Sequence, residues 1–116
     1  SRLARAVLRV SGAGSAFING FYERSGVSEG RAQFSKIDPD GDQPCQGGSV
    51  LLNYSVEEEP HCWAFVCEED NMGIYTCDSE AVLPPSAGWI PYYGLHPGPT
   101  LCLWRRSVPR PLALFT

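Results

Sequence analysis

Apolar and polar positions along this chain alternate in short bursts, each closed by glycine, proline or clustered acidic residues. No stretch sustains apolar residues at i, i+3, i+4 and i+7 for three turns, so helices are not expected. Near the start, Arg2, Arg5 and Arg9 recur at helical spacing. Strand alternation fits at least as well, with Ala6, Leu8 and Val10 on one face and Arg5, Val7 and Arg9 on the other, and the strand is taken. Further strands are read at Arg31 to Ile37, Ser49 to Val56, Cys62 to Cys67, Gly73 to Cys77 and Thr100 to Arg105. The pair Asn19-Gly20, between Phe17-Ile18 and Phe21-Tyr22, predicts a two-residue hairpin turn, because positive φ angles there match the twist of paired strands. Leu83 to Pro99 is rich in Pro and Gly with three aromatics inside it, which predicts an ordered loop pinned to the body. These elements predict an all-β domain spanning 1–116, a compact sandwich or barrel of about seven or eight short antiparallel strands with one long Pro/Gly-rich ordered loop.

Composition supports a single soluble globular domain. The 116 residues are 43% hydrophobic and include 13 aromatics (five Phe, five Tyr, three Trp), enough apolar surface to offset the entropy of ordering. At this length a core can form without disulfides or a metal. The apolar runs are about five residues long, against roughly 20 for a membrane-spanning helix, so no membrane span is expected. The chain begins without Met, which fits a processed protein or an excised domain.

The formal charge of −4 conceals a segregated layout. Residues 1–36 balance to +4, residues 37–104 hold eleven carboxylates and no Lys or Arg, and the tail adds Arg105, Arg106 and Arg110. If the first and last strands are neighbours, Arg2, Arg5 and Arg9 join Arg105, Arg106 and Arg110 in one basic edge, and the acidic turns lie elsewhere. The acidic total, with no basic face in the middle of the chain, argues against nucleic acid as a partner, despite Trp104 beside two arginines.

Several strings have a chemical and a plain reading. Ser11-Gly12-Ala13-Gly14-Ser15 looks like a phosphate cradle, but a cradle needs a helix N-terminus after it, so a tight turn is preferred. Asp38-x-Asp40-x-Asp42 begins like a calcium loop, yet Gln43 and Ser49 stand where that loop needs Gly and Glu, and Asp-Pro-Asp-Gly is an ordinary turn. Cys45, Cys62, Cys67, Cys77 and Cys102 contain no C-x-x-C pair, which argues against structural zinc. Cys62 and Cys67 differ in strand parity, so at most one shares a face with Cys77. A disulfide from Cys77 to one of them and free buried thiols both remain open, with free thiols preferred. His61 beside Cys62 points the other way on a strand, which removes a Cys-His nucleophile pair. The runs Glu57-Glu58-Glu59 and Glu68-Glu69-Asp70 read as solvated turns rather than paired catalytic acids, and the sequon Asn53-Tyr54-Ser55 falls inside a strand. No catalytic residues, metal or cofactor are implied.

In order, the chain carries S11-G12-A13-G14-S15, N19-G20-x-Y22, Trp63 with Phe65, Tyr75, P84-P85 with G88-W89, and G94-x-x-P97-x-P99. This order resembles a small module that recurs in multidomain proteins of algae and other protists. The resemblance covers nearly the whole chain. Because such modules appear beside unrelated domains, it implies binding or scaffolding rather than catalysis. The expected role is therefore a non-catalytic interaction or scaffold module, an accessory part of a larger protein or assembly. Its partner is another protein or an assembly subunit, bound through Trp89, Tyr92 and Tyr93 on the Pro-rich loop and the basic residues Arg5, Arg9, Arg105 and Arg106. The alternative is a glycan-binding module that stacks a sugar on Trp89, Tyr92 and Tyr93, although the Trp89 ring reads more simply as a plug for an open sheet end. Trp63, with Phe65 in step, reads as core.

Overall fold

A computed structural model describes residues 6–37, 50–57, 59–69 and 71–105. Eight antiparallel strands form one sheet that curls into a half-barrel: β1 (Ala6–Ser11), β2 (Gly20–Ser28), β3 (Arg31–Ile37), β4 (Val50–Ser55), β5 (Cys62–Cys67), β6 (Met72–Asp78), β7 (Ile90–Pro91) and β8 (Thr100–Arg105). The order β7-β6-β5-β4-β3-β2-β1-β8 is a meander whose last strand returns to the free side of the first. Ala6 opposes Arg105 and Ser11 opposes Thr100, so the start of β1 and the end of β8 lie side by side, which is the condition on which the basic edge depended.

Strand alternation decides which side chains line the concave face. In β4, Val50, Leu52 and Tyr54 are buried while Leu51, Asn53 and Ser55 are partly exposed, and in β5 Trp63, Phe65 and Cys67 follow the same rule. A bulge between Phe65 and Val66 shifts the register against β6, so that both Ile74 and Tyr75 are buried. Trp63, Tyr22, Tyr75, Phe65, Ile18 and Leu52 are fully enclosed, each worth about 1.5–3 kcal/mol of burial. The rings interlock, with Tyr22 edge-on to Phe65 at 5.5 Å and Tyr54 tilted on Trp63 at 5.6 Å.

The predicted hairpin at Asn19-Gly20 is not formed. Residues 12–19 connect β1 to β2 instead, and Ala16–Ile18 is a short 3-10 helix that drives Ile18 into the core. Asn19 pairs its amide with Ala13, accepting from its N–H at 2.9 Å and donating to its carbonyl at 3.2 Å, so it clasps the loop across its mouth. Gly20 opens β2. The two-residue turn lies one strand later at Glu29-Gly30, where both φ angles are positive and Ser28 opposes Arg31. Here a tertiary demand, the burial of Ile18, overrides a local turn preference.

The half-barrel is closed by the Pro-rich loop. From the β7 edge it crosses the open side of the curl, meets residues 14–15 and leads into β8. Gly14 N–H donates to the Pro97 carbonyl at 2.9 Å, and the Leu95 N–H donates to Ser15 Oγ at 2.9 Å. The approach is so close that a β-carbon on Gly14 would overlap the His96 carbonyl, and one on Gly98 would overlap the Trp89 carbonyl.

Candidate functional site

The three loop aromatics part company in the structure. Trp89 is 5% exposed, its ring tilted on Phe65 at 4.8 Å and its indole N–H bonded to the Pro85 carbonyl at 2.8 Å. It belongs to the core as a plug for the sheet end, and a sugar platform of all three rings is not formed. Tyr92 and Tyr93 are 69% and 62% exposed, and pack edge to face with centroids 4.8 Å apart. Their backbone is fixed, because the N–H groups of Tyr92 and Gly94 both donate to the Ile74 carbonyl at the rim of β6. Gly94 sits tightly there: a β-carbon on it would lie 2.7 Å from the Tyr75 ring. Around the pair, Ile90, Leu95 and Met72 are also exposed. Sequence reading found the tyrosines through composition and missed these aliphatic neighbours, which carry no local signal of exposure.

This patch borders β7, a terminal strand of the sheet that ends in Pro91. Proline has no N–H to offer an incoming strand, which blunts that edge against backbone pairing. Recognition at this place thus falls to side chains.

The basic edge is seen in part. Arg9 is exposed on β1 opposite Cys102, three residues from Arg105 on β8, about 10 Å along the strand. Arg2, Arg5, Arg106 and Arg110 lie outside the described residues. Among the described acids, Glu57, Glu59, Glu68, Glu69, Asp78 and Glu80 all belong to the β4–β5–β6 side, with β2 and β3 between them and β1.

The other strings singled out for chemistry have neighbours within the protein. Around Ser11–Ser15, the N–H groups that a cradle would aim at phosphate are bonded to the protein: Ala13 to Asn19, Gly14 to Pro97 and Ser15 to the Tyr75 hydroxyl. Cys77 and Cys102 are free thiols, and Cys77 faces Trp63 across the β5–β6 ladder rather than a cysteine. Burial, with the nearby Asp78 adding to it, pushes the Cys77 thiol above its ordinary pKa, and its sulfur lies 3.7 Å from the Ala87 carbonyl. His61 rests edge-on to Tyr54 between two exposed carboxylates, 3.2 Å from Glu59 and 3.9 Å from Glu80. Among the described residues no three His, Cys, Asp or Glu side chains gather as for a metal ion. The Asp38-x-Asp40-x-Asp42 string and Cys45 lie outside the described residues. No helix among those residues is long and apolar enough to cross a membrane.

Most of the motif strings that carried the resemblance converge on one end of the half-barrel, while Trp63 bonds the Ala81 carbonyl at the other. Ser15, Asn19, Tyr22, Tyr75, Gly88-Trp89 and Gly94 through Pro97 hold the β1–β2 loop, the 3-10 turn and the Pro-rich loop together. Their common property is closure of the fold. Comparison with known proteins adds no relative: no family model, no curated protein and no solved structure matches this chain.

Proposed function

We propose that this chain is a non-catalytic interaction module that docks on a partner protein through the exposed Tyr92–Tyr93 patch. The observation that carries the reading is a rigid aromatic pair held out from the body by two backbone hydrogen bonds to Ile74. Tyrosines fixed in this way lose little conformational entropy when covered, which is why Tyr is enriched among interface residues that dominate affinity. Ile90, Leu95 and Met72 supply the apolar rim, and Arg9 with the backbone position of Arg105 adds a basic strand pair for steering an acidic partner. Glycan binding finds less support, because Trp89 is withdrawn into the core and the remaining rings stand at 76° to each other, offering no common stacking plane.

The test is stoichiometric capture from a native extract by the wild-type chain, by Tyr92→Ala/Tyr93→Ala and by Val27→Ala, an exposed control at the β2–β3 turn. A partner retained by the wild type and the control but lost by the double variant supports the reading. Equal capture by all three, or a glycan-array signal that needs Tyr92 or Tyr93, overturns it.

A further inference from the structure

A second surface is independent of the tyrosine patch. Between the concave face of β1 to β3, the edge of β8 and the start of the β6–β7 connection lies a cleft of about 700 Å³. Its floor is formed by Leu8, Phe34 and Leu101, each less than a tenth exposed, and its lips by Leu83 and Leu103, 59% and 63% exposed. Among the described residues, Arg24 is the one charged side chain in the lining. The register explains its place: Arg24 opposes Phe34 and Leu8 opposes Leu103, so their side chains share the concave face in pairs.

The chemistry of this lining is selective. The volume lies within the range of about 300–1,000 Å³ typical of small-molecule sites. Apart from Arg24 and Ser86, the lining offers little for the hydroxyls of a sugar, and one guanidinium is too little charge for a polyphosphate. Arg24 is exposed, with no hydrogen-bond or ion-pair partner among the described residues. A planar guanidinium fork beside apolar walls matches a carboxylate joined to a hydrocarbon tail. An added polypeptide strand fits less well, because the β8 edge is already engaged at Leu101, whose N–H donates to the Ser86 carbonyl at 2.9 Å.

We propose that this cleft binds a free medium-chain fatty acid, its tail laid along Leu8, Phe34 and Leu101 and its carboxylate on Arg24. Each methylene taken from water tightens binding roughly three- to fourfold until the cleft is filled. Loss of the charged head contact weakens it about tenfold or more.

Isothermal titration of the 116-residue chain with octanoate, decanoate and decan-1-ol, below their aggregation limits, tests this. The expected result is one saturable site, decanoate tighter than octanoate by about tenfold (two methylenes) and tighter than the alcohol. Arg24→Gln should weaken decanoate about tenfold and leave decan-1-ol unchanged, with Arg24→Lys falling between. Leu103→Asp should weaken both ligands. Near-UV circular dichroism confirms that each variant retains its packing, which exposed Arg24 and Leu103 do not support. Absence of saturable binding, equal affinity for acid and alcohol, or an Arg24→Gln variant that binds decanoate like the wild type overturns the proposal. So does a wild-type dimer in sedimentation that Leu103→Asp dissolves, since a second copy would then cover the cleft.

Discussion

The phenol oxygen of Tyr75 accepts a hydrogen bond from the Ser15 N–H at 2.9 Å, joining the β1–β2 loop to β6 across sixty residues of sequence. The same hydroxyl donates to the Leu95 carbonyl at 2.5 Å, while Ser15 Oγ accepts from the Leu95 N–H. Two loops and one strand are thus tied through a single buried group. Tyr75→Phe keeps the ring and removes the tie, leaving a buried N–H and a carbonyl without partners. The expected cost is about 1–3 kcal/mol, read as a lower urea midpoint at unchanged slope. Amide exchange should quicken at residues 13–15 and 92–97 before it changes in β4 or β5.

Glycines at the closure separate steric need from conformational need. Gly12 has φ +81° and open space where a β-carbon would stand, so Gly12→Ala should cost only about 1 kcal/mol for the left-handed backbone. Gly14 lies against the backbone of His96, and Gly14→Ala must push two loops apart. Its expected penalty is larger, about 2–4 kcal/mol. Thermal melts of the two variants check the order, and equal losses would show that the loops do not meet as described.

How far the sequence carried the fold depended on how local each signal was. The bounds of β3, β5 and β8 follow the reading residue for residue, because alternation and flanking turn residues act within a few positions. Asn19-Gly20 misled because its turn preference competes with the burial of Ile18 and the clasp to Ala13, and neither is visible in the dipeptide. Glu29-Gly30, which does form the tight turn, lacks the usual Asn or Asp. The second half of β2 was missed for a related reason: Glu23 to Ser28 alternates weakly and bulges between Arg24 and Gly26. In the Pro-rich loop no periodicity exists, so composition could name Trp89, Tyr92 and Tyr93 as a group but not divide them into one core ring and two exposed ones. The apolar cleft was illegible because Leu8, Arg24, Phe34, Leu83 and Leu103 meet only through strand order.

Cys77 and Cys102 should differ sharply toward thiol reagents. Cys102 is exposed, whereas Cys77 is buried and its raised pKa holds it as the unreactive thiol at neutral pH. A maleimide-type label at pH 7.5 is expected on Cys102 first, with Cys77 modified only as the protein unfolds. The sign for stability follows from the same shift. A native state that retains the thiol proton better than the unfolded chain keeps its full contribution below the ordinary thiol pKa of 9.0, and loses it as pH rises through the higher folded value. As pH rises above the ordinary thiol value, the melting temperature of the wild type should therefore fall more steeply than that of Cys77→Ala, which starts lower because of its cavity. Parallel pH profiles for the two proteins would refute the assignment.

Arg31 secures the loop after β6 from the opposite end of the half-barrel. Its Nη2 donates to the Glu80 carbonyl at 2.6 Å, its Nε donates to the Ala81 carbonyl at 3.0 Å, and its guanidinium lies 4.0 Å above the Tyr54 ring. Trp63 Nε1 donates to the same Ala81 carbonyl at 3.0 Å, so the loop has a buried anchor and a surface anchor at one point. Arg31→Ala removes the surface anchor while the indole remains. Because these bonds are solvent-exposed, the expected loss is modest, about 1–2 kcal/mol with the cation–π contribution included. Arg31→Lys should recover little of it, since one ammonium cannot reach two carbonyls and lie flat on the ring at once. Urea denaturation of the three proteins measures the loss, and proteolysis in the 79–83 segment measures the loosening. Full recovery by lysine would mean that charge alone, rather than the planar fork, holds the loop.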